Sequence, residues 1–310
     1  MTTRFGYACI NNTLQKTEKV QSNRGMIKRT WLKKGISYAS ELALINARAL
    51  RRIVEWNAEN NIHVFRISSC LLPWMSEYNI FDLPDIDELS DTLQEAGNIA
   101  KKNNQRLSFH PGQFCVLASP NQNIVKKTIK ELDDTAILMD LLGMPQDHNA
   151  KINIHIGGAY GDHASALARF CKNVDKLSYG ARNRLTVEND DKRNMYSTKM
   201  LYDGVYTRTG IPIVFDSHHF TLGPQDQEYD EAIHMAASTW GNIRPTCHHS
   251  NSRKNYEDPK ANAVSHSQWY YEPFETRGLD VDVVLECKRK ENALLKYRKD
   301  FGNEMVSIAA

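Results

Sequence analysis

Short apolar runs rich in Val, Ile and Phe recur along this chain, and each is followed by a segment whose apolar positions fall at helical spacing. Eight runs predict strands: Arg4–Cys9, Ile62–Ser68, Arg106–His110, Lys151–Ile156, Arg184–Glu188, Ile211–Asp216, Ile243–His249 and Val281–Glu286. Between them, helices are predicted over Tyr38–Asn60, Asp85–Asn103, Asn121–Leu142, Tyr160–Tyr179, Asn194–Thr209, Gln225–Ser238 and Arg289–Phe301. The first is the clearest, with Leu42, Ile45, Ala49, Ile53 and Trp56 on one face. Strictly alternating strands and helices predict an α/β chain folded as a single (β/α)8 TIM barrel over residues 1–310. A doubly wound open sheet would need a Gly-rich phosphate loop after the first strand, where GYACINNT stands instead.

Six of the runs stop at a metal-type ligand: RLSFH at His110, INIHI around His155, LTVEN at Glu188, PIVFDSHH at Asp216, TCHHS at His248 and VVLEC at Glu286. Alternate residues of a barrel strand point inward. Placing His248 inward also places Thr246 inward and sends Cys247 toward the helices. Glu286 inward sends Leu285 and Cys287 outward, Asp216 goes with Val214, and His155 with Asn153. Each ligand is then the last inward position of its strand, at the C-terminal rim where barrel enzymes do their chemistry.

Three imidazoles and three carboxylates at one rim, without a cation, would suffer like-charge repulsion and desolvation. Divalent metal ions remove that penalty. His219 and His266 can complete the set. Imidazole and carboxylate without thiolate suit Zn²⁺ or Mn²⁺, and more ligands than one ion needs imply two or three ions. Multi-metal sites clamp the attacking and departing oxygens of phosphoryl transfer.

Two stretches fall outside the alternation. Asn11–Ser37 reads as a loop far longer than most connections, and Ser250–Asp280 is similarly irregular, with Trp269, Tyr270 and Tyr271 clustered in it. Net charge is only +2, but Lys16, Lys19, Arg24, Lys28, Arg29, Lys33 and Lys34 face a single acid, Glu18, in the first stretch. Lys28 and Arg29 are candidate phosphate contacts. Lys288, Arg289, Lys290, Lys296, Arg298 and Lys299 form a second basic group. Basic loops beside such metals point to a nucleic-acid phosphodiester as substrate.

Composition, with 41% hydrophobic and 25% charged residues, is that of a soluble globular enzyme. No apolar run approaches the ~18 residues that span a bilayer, and MTTRFGYACINNT lacks a signal-peptide core. The six cysteines form no C-x-x-C pair, and the absence of a disulfide framework fits a reducing cytosol. A cytoplasmic monomer is expected.

The motifs GYACIN, RISS, HPGQF, NIHIGG, VEND, FDSHH, HHS and LECKRKE, in this order from Phe5 to about Lys296, resemble the UV damage endonucleases. The resemblance implies a barrel related to endonuclease IV that cuts DNA 5′ to pyrimidine photodimers, 6-4 photoproducts and other lesions, with Mn²⁺ favoured and Zn²⁺ or Mg²⁺ as options. It implies that His110, His155, Glu188, Asp216, His248 and Glu286 ligate two ions, with Glu188 bridging. It makes His219 and His266 ligands of a third. Glu188, His248 and Glu286 would carry catalysis. Gln113 and Phe114, in HPGQF, look like a probe entering the duplex beside the extruded nucleotides, and Tyr7 and Asn11 fall where the family places lesion-pocket residues. The family commonly has lysine at Thr246, a carboxylate at Gln268 and histidine at Glu77.

Three other readings compete. An abasic-site endonuclease of the endonuclease IV type would use the same metals. A metal-dependent sugar isomerase also carries His, Glu and Asp at a barrel rim, but a small neutral sugar needs no Lys16–Lys34 cluster. A lesion-binding protein whose chemistry has decayed would have little reason to retain the whole ligand set.

Overall fold

Each of the eight runs forms a strand in a computed structural model that describes residues 3–302. They are β1 (Arg4–Cys9), β2 (Val64–Ile67), β3 (Arg106–Phe109), β4 (Ile152–Ile154), β5 (Leu185–Glu188), β6 (Ile213–Asp216), β7 (Thr246–His249) and β8 (Asp282–Leu285). Most are shorter than their apolar runs. The sheet order follows the chain from β1 to β8 as a closed barrel, with β8 parallel to β1. This is the expected (β/α)8 architecture. At the N-terminal end of β1, the Arg4 guanidinium donates to both carboxylate oxygens of buried Asp282 at 2.7 Å, pinning β1 to β8. That end holds the fold together, while the other end is left to chemistry.

The chain falls into two compact units, Cys9–Leu185 and Met1–Ala8 with Thr186–Ala310. The first carries β2–β4 and helices α1 (Asn12–Glu18), α2 (Lys28–Glu59), α3 (Ile86–Lys102), α4 (Gln122–Leu141), α5 (His163–Val174) and α6 (Tyr179–Arg184). Leu42, Leu50, Ile53 and Val54 of α2 are buried, whereas Ile45 and Trp56 lie half-exposed at the edge of the face. The core stripe is therefore rotated from the one the spacing predicts, because Ala39, Ala43 and Ala47 let α2 approach closely on that side.

The second unit carries β5–β8 and α7 (Thr198–Leu201), α8 (Thr207–Thr209), α9 (Ser217–Leu222), α10 (Tyr229–Ser238), α11 (Arg253–Tyr256) and α12 (Glu291–Phe301). A π-helical turn, Tyr202–Tyr206, joins α7 to α8. The helix predicted over Asn194–Thr209 thus starts later and is widened inside.

The long loop expected over Asn11–Ser37 is a correction. It holds α1, capped by the Asn11 side chain accepting from the Leu14 N–H at 2.9 Å, and the first turns of α2. Within α2, Gly35 at φ 62 and ψ −153 is non-helical and kinks the chain, so the helix expected from Tyr38 resumes just after it and is preceded by a short helical segment from Lys28. Only glycine adopts that conformation without strain. The irregular Ser250–Asp280 stretch is ordered by side-chain and backbone bonds, including Arg253 N–H to Ser265 O at 2.7 Å and stacked Tyr256 and Tyr271 rings.

Candidate metal centre and probe loop

Four strand ends deliver acids and imidazoles to one place. Glu188 closes β5, Asp216 closes β6, His248 lies on β7 and Glu286 follows β8. His248 Nδ1 is 3.1 Å from Glu188 Oε1 and 3.3 Å from Glu286 Oε1. Strand β6 lies between β5 and β7, so the Glu188–His248 contact requires both side chains to point into the barrel, as the alternation predicts. Glu188, Asp216 and His248 are buried, and each offers a ligand atom within 4.8 Å of the others. His219 Nδ1 stands 3.4 Å from Glu188 Oε1 and 4.0 Å from Asp216 Oδ2, and His266 Nε2 stands 3.7 Å from Glu286 Oε2.

Local chemistry explains why the chain turns this way. Asp216 caps α9, its Oδ1 accepting the His219 N–H at 2.8 Å, and that single turn swings His219 back toward Glu188. The Asn189 side chain extends the pairing of β5 and β6. Its Oδ1 accepts the Asp216 N–H at 2.8 Å and its Nδ2 donates to Asp216 O at 3.0 Å. His266 is held by a 2.6 Å contact between its Nδ1 and Ser250 Oγ.

The donor set fits divalent metal. Asp216 Oδ2 is buried and accepts no hydrogen bond, and buried His218 Nε2 likewise has no hydrogen-bond partner. A carboxylate oxygen shut away from water without a partner is costly unless a cation meets it. All these donors are nitrogen or oxygen. The nearby Cys287 thiol is engaged with Ser267 Oγ at 3.3 Å and Trp269 O at 3.2 Å. Burial holds the His218 imidazole below its ordinary pKa and takes that of His249 down to about 4.

His218, His249 and Asn189 have no role in the reading of the sequence. The His218 ring lies 5.5 Å from that of His266, and His249 Nδ1 is 2.7 Å from Ser217 Oγ at the start of α9. For His218 and His249 the signal was the doubled histidine in FDSHH and HHS; in HHS, strand alternation favours only one of the pair. Thr246 is buried with its hydroxyl unpartnered, Gln268 Oε1 accepts from Arg289 Nε at 3.0 Å, and Glu77 is exposed in a one-turn 3-10 segment.

In the other unit, His110 follows β3 and His155 follows β4, with ring centroids 5.5 Å apart. His110 Nδ1 is 3.0 Å from Pro111 O, a contact that favours the tautomer with the lone pair on Nε2, the usual arrangement of a ligating histidine.

The loop after His110 presents Gln113 and Phe114 to solvent, with Phe114 81% exposed. An exposed aromatic at that level is held up by what lies beneath it. Cys115 N–H donates to Gly112 O at 2.9 Å, Cys115 is buried, and Val116 N–H donates to Thr128 Oγ1 on α4 at 3.0 Å. Gly157, from NIHIGG, sits at φ 96, and a Cβ there would lie 2.3 Å from Val116 Cγ1. The two glycine-bearing motifs are therefore coupled by packing.

Lys28 and Arg29 are exposed at the start of α2. Tyr7 is wholly buried in β1, and Asn11 is buried as the cap of α1. The second basic group is also partly spent, with Lys296 paired to Asp300 and burial lowering the Arg298 pKa.

A parallel barrel with imidazoles and carboxylates at the C-terminal ends of its strands has the arrangement of barrel enzymes, whose active sites lie at that rim. Residues 3–309 match the UV-endonuclease UvdE family, and the chain belongs to that family. A UV DNA damage endonuclease from Clostridium perfringens is 31% identical over 304 residues, covering 94% of this chain and 69% of the relative. The solved structure of SacUVDE superposes with a TM-score of 0.82 at 29% identity, covering 97% of this chain and 99% of that one. D-psicose 3-epimerase from Clostridium cellulolyticum H10 shares the fold alone, with a TM-score of 0.53 at 14% identity over 76% of this chain and 78% of the epimerase. No described helix is long and apolar enough to cross a membrane.

Proposed function

We propose that this protein hydrolyses the DNA phosphodiester on the 5′ side of UV photoproducts, cyclobutane dimers and 6-4 photoproducts, and of abasic sites, and so initiates excision repair as a metal-dependent monomer. The observation that carries this reading is the buried Glu188–Asp216–His248 cluster in a chain of the UV-endonuclease family. Glu188, Asp216 and His248 would hold one ion, with Glu286 beside His248, and His110 and His155 would serve as ligands of a second. His219 and His266 would hold a third, with His218 within reach of the same place. Mn²⁺ suits the mixed imidazole–carboxylate set, as do Zn²⁺ and Mg²⁺ with different coordination demands.

Ions bound there would supply a Lewis acid for the scissile phosphate and a water acidic enough to be a nucleophile near neutral pH. The chain's own residues do the rest. Glu188, His248 and Glu286 orient and charge-balance the centre. Gln113 and Phe114 enter the duplex where poorly stacked photodimer bases leave it, a step that costs less than unstacking intact DNA. Lys28 and Arg29 bind phosphates.

The test is a synthetic duplex holding one thymine dimer, incubated with the protein and Mn²⁺ and then with excess EDTA. A single nick 5′ to the dimer that EDTA abolishes is the expected result. An intact strand in Mn²⁺, Zn²⁺ and Mg²⁺ alike would sink the reading.

A further inference from the structure

Helix α2 carries two populations of cations. On its later turns Arg48 pairs with Glu88, Arg51 lies 2.5 Å from Glu95 and Arg52 lies 2.9 Å from Glu18. On its first turns Lys28, Arg29, Lys33 and Lys34 are all exposed, and none forms an ion pair among the described residues. Among these four stand Ile27, 69% exposed, and Leu32, 73% exposed. Helix surfaces commonly neutralise themselves with acids three or four residues away. This one does so only beyond Gly35.

The early segment is also firmly held. The Trp31 ring stacks on Trp74 at 5.9 Å with planes 4° apart, and the Trp74 indole N–H donates to Met26 O at 2.9 Å. Trp74 sits at φ 60, a conformation bulky residues rarely take, so the surrounding structure forces it into place. Just before the segment, Arg24 N–H donates to the buried Asn46 Oδ1 at 2.8 Å and Asn46 Nδ2 donates back to Arg24 O at 2.9 Å. A segment anchored at its start and at Trp31, bent away at Gly35 and left with unbalanced charge is built to meet something anionic.

We propose that residues 27–34 form a duplex-gripping arm, distinct from both the metal centre and the probe loop. Lys28, Arg29, Lys33 and Lys34 bind the phosphates of undamaged flanking DNA, and Ile27 and Leu32 lie against its sugar edge. The proposal rests on the nuclease reading and adds the division of labour. Phosphate contacts fix register and carry no information about the bases, so the arm holds intact and damaged duplex alike, leaving discrimination to the probe loop. DNA rather than a membrane surface is the occupant. An interfacial helix needs a broad apolar face, and this segment exposes only two large apolar side chains beside four unbalanced cations.

The test measures binding of two labelled duplexes, one undamaged and one with a single thymine dimer, in EDTA over a range of KCl. Replacing all four cations (Lys28→Ala, Arg29→Ala, Lys33→Ala, Lys34→Ala) should weaken both duplexes equally. It should also flatten the slope of log affinity against log salt by about 3 to 4, since each phosphate contact in B-DNA contributes roughly 0.9. Leu32→Ala should weaken both duplexes with the slope unchanged. Gly35→Ala, whose Cβ meets nothing within 4 Å, should weaken both by re-aiming the arm. An unaltered salt slope in the four-cation variant would overturn the arm, as would a loss confined to the dimer duplex. Loss of binding to phosphatidylglycerol vesicles with DNA affinity intact would assign the segment to lipid instead. Should the wild type fail to nick the dimer duplex yet show the salt-dependent binding that the variant loses, the nuclease reading falls and the arm stands.

Discussion

The rim of β5–β8 and the loop after β3 break the same rule in opposite directions. At the rim, Glu188, Asp216 and His248 are charged or polar and buried. At the loop tip, Phe114 is a large apolar ring 81% exposed. Folding alone favours neither arrangement, since buried charge is expensive without a partner and exposed aromatic surface forgoes burial. Under the proposed function, cations would offset the cost at the rim and an opened base stack would give the exposed ring its contact, so the difference separates what each region would meet.

The strongest way to break this comparison is at Glu188. Glu188→Gln should lower incision of a dimer-bearing duplex by roughly 10³-fold or more, the scale of losing a central electrostatic contact. The same variant should unfold a few degrees higher than wild type when both are metal-free, because about 1 kcal/mol of like-charge repulsion is relieved. Adding Mn²⁺ should raise the wild-type midpoint and raise the variant's much less. Unchanged incision by Glu188→Gln would remove that carboxylate from the chemistry, and an equal Mn²⁺ response would remove it from the ligand set.

A smaller effect is expected at the other pole. Replacing Gln113 and Phe114 by Ala should cut incision at photodimers about 10- to 100-fold, the equivalent of a few kcal/mol of wedge energy, and reduce incision at abasic sites less. The thermal midpoint should stay put, because both side chains are exposed. Equal loss on both lesions would argue against a lesion-specific probe.

Gly157 couples the NIHIGG loop to the segment after the probe loop through packing. Gly157→Ala places a Cβ against Val116 in a left-handed backbone conformation, which should cost about 1–3 kcal/mol and show as a lower thermal midpoint. Photodimer incision should fall with it as the probe loop shifts. A neutral result would mean that Val116 moves aside freely.

The smallest effect comes from a half-buried imidazole away from the rim. Burial is the leading cause that brings His148 from 6.5 down to about 4, with Asp147 opposing and Arg106 adding to the shift. A histidine depressed in the folded state binds its proton more readily when unfolded. Its contribution to stability is therefore intact above about 6.5 and is lost as pH falls toward about 4. The thermal midpoint should decline through that window, and His148→Gln should make the decline shallower. Because no cation is involved, the difference between wild type and variant should be the same with and without EDTA. A dependence on EDTA would tie His148 to the metal centre.

Much of this was legible along the chain. The barrel followed from alternating strand and helix patterns, and the donor types clustered at β5–β8 followed from residue type at the last inward position of each strand. Both are local properties, because a strand's two-residue period settles which side chains share a face before any partner is known. Residues whose roles depend on a partner were harder to read. Tyr7 and Asn11 reside in strand and cap interiors that only packing reveals. The charge run from Lys16 to Lys34 looked uniform, yet tertiary contacts pair Glu18 with Arg52 and leave Lys28, Arg29, Lys33 and Lys34 without acids.

What the sequence alone determined is therefore the strand count, the helix periodicity and the kind of donor offered at each rim position. Only the tertiary structure decided that His248 meets Glu188 across β6, that His218 faces His266, and that Gly35 bends α2 rather than ending a loop. The physical reason is range. Periodicity and propensity act over a few neighbouring residues, whereas a ligand cage, an ion-pair pattern and a stacked Trp31–Trp74 pair exist only once segments distant along the chain are brought within a few ångströms.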